Sequence, residues 1–342
     1  MKRIFAFILL SAMLMNFTAC VQPNNEEEIP GNDNVTSHYP VTVVDQAGRE
    51  VVIEKEPQKL VSCYYITTSL LMALDLDEKM VGIEDNPDYR PIYALSNPKL
   101  LELPWVGTAK VLDLEACVAL EPDLVILPLR LKDSAGTLEK LGIDVLLVNP
   151  ESQELLDEMI RLVSVATNTE KNAEALQNFV DSQEKYLQDT LGNLANTPSV
   201  YLSGNSNFLS TAGHAMYQSD LIRLAGGTNV AENIEDTYWA EIDYEQLLTW
   251  NPDYIILASS AKYTIQDVLD NPNLAECSAV KKGNVYQFPN DAEAWDSPVP
   301  GSILGALWLG NILHPDKVSD AECDTLMDEY YETFYEFTYS EN

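Results

Sequence analysis

The chain has 342 residues, with 54 acidic side chains against 20 Lys and Arg, a formal charge of −34 and 46% hydrophobic residues. At about 150 residues per domain this length makes two domains, and the apolar share is enough to fill their cores. A surface so negative repels phosphate backbones and anionic headgroups, which excludes nucleic-acid binding and membrane docking by charge.

Lys2 and Arg3 precede the apolar stretch Ile4 to Met15, interrupted only by Ser11. A charged start and an apolar run too short to span a bilayer predict an export signal over residues 1–20. Its end, Phe17-Thr18-Ala19-Cys20, resembles a bacterial lipobox with Phe where Leu is usual, so lipid attachment is expected at Cys20, with an ordinary secretory signal as the alternative. No other run approaches the roughly 20 apolar residues of a membrane span. Residues 21–38 are rich in Asn, Glu, Pro and Gly and predict a flexible tether with a reach of about 25 Å.

The body alternates short β-branched runs with helical patterns. Val41 to Val44 and Val51 to Ile53 predict a hairpin; Lys59 to Cys63, Met80 to Ile83, Leu124 to Leu127 and Val145 to Val148 predict buried strands separated by helices. That succession means a parallel sheet covered on both faces. From Ser152 to Asn196 only helical spacing is present, with Thr169 and Glu170 as a predicted cap. Strands resume at Ser199 to Leu202, Tyr254 to Leu257 and Val285 to Phe288, and Tyr330, Phe334 and Phe337 predict a terminal helix packed on the second lobe.

The fold expected is therefore α/β: two doubly wound lobes with central parallel sheets, residues 39–166 and 197–342, joined by a connecting helix over 167–196. An internal repeat supports the division. Asp113 to Leu127 lies over Asp243 to Leu257 at a constant offset of 130, with six identities in fifteen positions. In each copy Asp caps a short helix, Glu sits in its first turn, Pro and Asp break it, and a buried strand follows. Ligands of open parallel sheets bind outside the carboxyl ends of the strands, so the loops Pro128 to Lys132 and Ala258 to Tyr263 are expected to line one cleft. Cys63, Cys117, Cys277 and Cys323 form no metal-binding spacing and read as buried free thiols.

The chain resembles the lipoprotein substrate-binding components of iron-siderophore, haem and cobalamin ABC importers, the class III periplasmic-binding-protein fold. The resemblance covers roughly residues 40–315. It rests on Val43 to Arg49 with Pro57, the two helix-Pro-Asp-strand copies, Leu224 to Val230 with Gly226 and Gly227, and Trp295 to Pro298 leading into Ile303 to Pro315. It implies capture without chemistry: a ligand held between lobes, delivered to a permease dimer driven by a separate ATPase. It also implies that Glu115 and Glu245, one on each lobe, dock onto permease arginines.

By position after strands, the candidate ligand residues are Tyr64, Tyr65, Trp105, Gly107, Thr108 and Arg130 on the first lobe. Opposite them stand Asn207, Tyr238, Trp239, Lys262, Tyr263, Trp295 and Asp296. Flat aromatics suit a macrocycle and cationic heads suit propionates or catecholates. Arg90, Lys110 and Lys132 are further cations for a siderophore; a corrinoid fits an aromatic, acidic cleft at least as well. Haem stays open through a Tyr64 or Tyr65 phenolate or through His214. His38 in the tether and His314 near the last helix make a multi-His metal site improbable. No resident cofactor is expected, and the body is expected to be a monomer held outside the cytoplasmic membrane by lipid alone.

The competing class is an exported hydrolase. Gly204-Asn-Ser206-Asn-Phe208 lacks the second Gly of a nucleophile elbow, three His are few for a triad, and the carboxylates Asp291 and Glu293 read as a solvated loop. A structural adhesin is disfavoured because two opposed lobes are not a stack of modules.

Overall fold

The computed structural model describes residues 38–235 and 239–341; Cys20, most of the tether and Tyr238 lie outside them. The predicted hairpin forms as β1 (Val41–Val44) and β2 (Glu50–Ile53). Asp45 at its turn is buried, accepts the backbone N–H groups of Ala47, Arg49 and Leu147, and pairs with the Arg49 guanidinium at 2.6 Å. The Asp45 to Arg49 motif is thus a clamp fastening the hairpin to the edge of the first sheet.

That sheet contains β3 (Leu60–Ser62) and β4 (Met80–Gly82); a small antiparallel hairpin, β5 (Gly107–Thr108) and β6 (Val111–Leu112), lies beside it, and β7 (Leu124–Pro128) and β8 (Asp144–Val148) complete it. Its order is β4-β3-β7-β8, all parallel. Helices Gln153–Thr167 and Glu170–Leu191 follow, the second about 33 Å long at 1.5 Å per residue. Thr169 does not cap it through its side chain; its hydroxyl pairs with that of Thr167 at 2.9 Å.

The second sheet comprises β9 (Ser199–Ser203), β10 (Ser210–Ala212), β11 (Thr228–Asn229), β12 (Trp239–Glu241), β13 (Tyr254–Leu257) and β14 (Val285–Gln287). Its main path is β12-β10-β9-β13-β14, parallel from β9 to β14, with β11 parallel to β9 and the β10 and β12 pairings antiparallel. Strands β10 to β12 were not expected, because two or three partly polar residues carry no period and become strands only by pairing with an existing edge.

The internal repeat is also a repeat of hydrogen bonds. Asp113 accepts the Ala116 N–H at 2.9 Å and Asp243 accepts the Gln246 N–H at 2.8 Å, each capping its short helix. Glu121 and Asn251 both leave the helix in the left-handed region, at φ 50° and 45°. Asp123 then accepts the Lys59 N–H, and Asp253 the Ser199 N–H, tying each new strand to the start of its neighbour. Burial alone would raise both carboxyls, yet these N–H donations and nearby Lys55 and Lys282 hold them below their ordinary values.

One apolar cluster runs through both lobes, from Leu60 and Leu70 through Leu176 and Phe179 of the connecting helix to Leu304 and Tyr330. The terminal helix Asp320–Tyr335, expected on the second lobe, also reaches the first: the Tyr335 hydroxyl donates to the Ser69 carbonyl at 3.1 Å. The expected solvated loop is half wrong as well. Asp291 accepts from the Tyr339 hydroxyl at the surface, but Glu293 is 3% exposed among Tyr330, Tyr331 and Tyr335. The lobes therefore share continuous packing, which stiffens the joint between them. All four described cysteines are buried and free, and no described helix is long and apolar enough to cross a membrane.

Candidate ligand-binding site

The strand-end rule places the first half of the site at the carboxyl ends of β3, β7 and β8. There a cavity of about 550 Å³ is lined by Tyr64, Arg130, Lys132, Asn149 and Glu151, among others. Tyr64 stands just before helix Tyr65–Ala73, and the Thr67 hydroxyl donates to its carbonyl at 2.7 Å. Its ring meets Tyr65 edge to face at 5.5 Å, and the Arg90 guanidinium lies 3.8 Å from the centre of the Tyr65 ring. Burial raises both phenols; beside Tyr64 the charge of Glu151 adds to this while Arg130 and Arg90 oppose it. Both are neutral in the free protein, and only a ligand able to displace the proton makes either a phenolate.

Charge is distributed unevenly here. Among the described residues the partly buried cations other than Arg90, which are Arg49, Lys59 and Lys79, are each matched by a carboxylate. Among the described residues Arg90 is the one half-buried Lys or Arg with no carboxylate oxygen within 4.0 Å. Arg130 is held loosely, 4.0 Å from Glu151, and Lys132 is exposed without an ion-pair partner among the described residues. In a protein of charge −34 a half-buried cation without a carboxylate, acting with a loosely held one on the same Tyr64, marks a surface for an anion.

The second half forms where β9 and β13 end. The Tyr263 hydroxyl donates to the Gly204 carbonyl, the Lys262 N–H donates to the Asn205 carbonyl at 2.9 Å, and a Cβ on Gly204 would lie 3.3 Å from the Trp239 ring. Trp239 is 38% exposed. Asn207 donates to Glu241 at 2.5 Å, which draws it to the edge strand. Beyond β13, Asp296 accepts the Ser259 N–H at 3.1 Å. The halves meet where the Tyr217 N–H donates to the Glu151 carbonyl at 3.2 Å and Ile92 donates to the Ala292 carbonyl at 3.2 Å.

Other nominated residues lie elsewhere. Trp295 is 1% exposed, its indole N–H donating to the Tyr331 hydroxyl at 2.8 Å, so it is a core residue behind the cleft. His214 lines a separate cavity of about 420 Å³ with Thr197, Thr228 and Arg223, near the amino ends of β9 and β11, and cannot share a ligand with Tyr64. Gly107 and Thr108 build the β5–β6 hairpin: the Gly107 N–H donates to Asp85, and the Thr108 hydroxyl accepts from Lys110 and Val111. Trp105 is 48% exposed beside Ile83 at the sheet edge. Glu115 and Glu245 are both exposed in the first turns of their matched helices. Among the described residues no three His, Cys, Asp or Glu side chains are placed to hold a bare metal ion.

A periplasmic binding protein family model matches residues 60–292, which takes in both sheets and the cleft between them. The chain belongs to the periplasmic binding protein family. Of its relatives, the molybdate-binding protein MolA of Haemophilus influenzae is 23% identical over 321 residues, covering 87% of this chain and 91% of MolA. The solved structure of molybdate-bound MolA superposes with a TM-score of 0.77 at 22% identity, over 87% of this chain and 99% of that one. The ABC transporter substrate-binding lipoprotein YvrC of Bacillus subtilis is 27% identical over 93% of this chain and 98% of YvrC. A vitamin B12-binding protein of Salmonella choleraesuis is 27% identical over 68% of this chain and 82% of its own length. This periplasmic binding protein is a substrate-binding component of an ABC transporter and works outside the cytoplasm with a permease and ATPase; it is not an enzyme.

Sequence reasoning missed Glu151 on the cavity of this binding protein, and Ser259 and Gln218, which hold Asp296. Glu151 follows a predicted strand directly, so the rule that nominated Arg130 covers it too. Ser259 lies within a nominated loop but contributes its backbone, and Gln218 is on a helix; neither position carries a signal in the sequence.

Proposed function

We propose that this binding protein captures an anionic metal chelate, a ferric siderophore in the first instance, between its lobes and hands it to the permease. The observation that carries this is Arg90, half-buried, stacked on Tyr65 and with no carboxylate within 4.0 Å, acting with Arg130 on Tyr64 at the cavity that Arg130 and Lys132 line. Tyr64, Tyr65 and Trp239 add aromatic walls that a bare oxyanion such as molybdate would leave unused. Haem shares the required charge, and a corrinoid is the second reading because of the vitamin B12-binding relative. Docking through Glu115 and Glu245, lipid attachment at Cys20 and a monomeric body without a resident cofactor complete the proposal.

The test is titration of residues 39–342 with ferric catecholate and ferric hydroxamate siderophores, haemin, cobalamin and molybdate, followed by tryptophan fluorescence and visible spectra. Sub-micromolar binding of a ferric siderophore, weakened at least tenfold by Arg90→Gln, is expected. Binding of molybdate or cobalamin alone would reject the siderophore assignment. A Cys20→Ser chain should lose labelling by radioactive palmitate and leave the membrane fraction; retention of both would reject lipidation at that residue.

A further inference from the structure

Two acceptors are left unmade at one place in the molecule. Asp296 is 4% exposed, and Gln218, on helix Tyr217–Leu224, is 6% exposed. Asp296 accepts the Ser259 N–H through Oδ2, while its backbone carbonyl accepts from the Gln218 amide at 2.7 Å. That leaves Asp296 Oδ1 and Gln218 Oε1, and neither has a partner. Buried carboxylate oxygens are ordinarily satisfied, because an unpaired one has lost its water and received nothing in return. The pair does not lie deep in the core. Ser259, which Asp296 holds, lies just past the carboxyl end of β13, and the N–H of Tyr217, next to Gln218, donates to the carbonyl of Glu151, a residue lining the cavity of the opposite lobe. Arg90, over the Tyr65 ring, lies near enough for its charge to act on Asp296 but does not pair with it, which leaves a donor and an acceptor each lacking a complement.

Resting on the reading of the cleft as an anion site, we propose that Asp296 Oδ1 and Gln218 Oε1 form an acceptor subsite. It takes an N–H or O–H donor of the ligand, beside the negative group held by Arg90. The ligand class then narrows to chelates that carry amide or hydroxyl donors next to their anionic groups, as catecholamide siderophores do; ionised propionates and simple oxyanions supply no such donor. The subsite acts as a filter as well as an anchor. A ligand without a donor leaves the carboxylate oxygen buried and unpaired, and one that places a second acceptor there is repelled.

Asp296→Asn tests this with little change of shape. Its amide oxygen still accepts the Ser259 N–H, and the –NH₂ then stands where the free carboxylate oxygen was, turning acceptor into donor. The full-length body is titrated with a ferric tris-catecholamide and cobalamin, which carry amide donors, and with haemin and molybdate, which do not. The expected result is a loss of about 10- to 100-fold for whichever donor-bearing probe the unsubstituted protein binds, the range for one hydrogen bond to a charged group. The donor-free probes should bind the variant as well as or better than the unsubstituted protein. Equal affinity of both proteins for the donor-bearing probe would overturn the subsite while leaving the cleft reading intact. Tighter binding of haemin or molybdate by the unsubstituted protein would do the same. Failure of every probe to bind would overturn both. Gln218→Met, which removes the second acceptor without altering the carboxylate, should weaken the same probes if Asp296→Asn does not fold.

Discussion

Glu293 offers a quantitative test of the packing that joins the lobes. Its carboxyl sits among Tyr330, Tyr331 and Tyr335, engaged by the Ser69 side chain and by long hydrogen bonds of 3.4 Å from the Tyr331 and Tyr335 hydroxyls, and no cationic group opposes its burial. Burial outweighs these donations and pushes its pKa from 4.5 up to about 8. The surrounding phenols are raised well above 10 by the same burial, so they stay neutral while Glu293 titrates. Between pH 4.5 and 8 the folded protein keeps a proton that the unfolded chain has released, so this group's stabilisation is complete below 4.5 and is lost as pH rises through 8. At about 1.4 kcal/mol per pH unit, the interval from 4.5 to about 8 is worth on the order of 5 kcal/mol. Glu293→Gln keeps the shape and removes the titration. Guanidinium unfolding of both proteins at pH 4.5, 6, 7 and 8.5 isolates this group, because the other carboxylates cancel in the difference. The variant should match the parent near pH 4.5 and exceed it by several kcal/mol at pH 8.5. A difference that stays flat across the range, or that favours the parent at high pH, refutes the assignment of a neutral buried carboxyl.

Asp113→Ala and Asp243→Ala each remove one helix cap and should cost about 1 kcal/mol apiece, additively, in urea unfolding; a strongly non-additive pair would mean the repeats are not independent. Gly107→Ala should destabilise by about 1–3 kcal/mol or more, since φ there is 113° and the new Cβ would lie 2.2 Å from the Val111 carbonyl oxygen; an unchanged melting temperature counts against the hairpin. Burial pushes the thiol of Cys117 up to about 11 and that of Cys323 up to about 12, and raises Cys63 too. Residues 39–342 should therefore react with Ellman's reagent four times in denaturant and only slowly when folded. Exchanging Glu115 and Glu245 together for Ala should abolish uptake by cells while ligand affinity in solution stays within twofold; a loss of affinity would place the pair in the cleft instead.

Legibility followed the range of the interactions. The strands near residues 60, 124, 145, 199, 254 and 285 announced themselves because both their faces are buried, and the Asp113 and Asp243 caps because a cap is a contact over three residues. The strand-end rule placed Tyr64 and Arg130 on one cavity, and Lys262 and Tyr263 beside the Gly204 turn where β9 and β13 end. It failed for Trp295, because a loop residue just beyond a strand faces either the cleft or the core depending on what packs behind it, here Tyr331 and the terminal helix. His214 went astray for a related reason: a connection between two strands can emerge at either end of a sheet, and β10 runs antiparallel to β9. Glu293 looked like a solvated acid because composition cannot report that three tyrosines from a distant helix will surround it.

The sequence by itself determined the two parallel lobes, the repeat that relates them and the helical connection, since periodicity, caps and breakers act within a few residues of chain. Tertiary structure decided which cations go unmatched, which carboxylates lose their water, and that one core passes through both lobes. Those properties belong to pairs of side chains from distant segments, and a charge or an acceptor becomes a site only when its neighbours leave it unsatisfied.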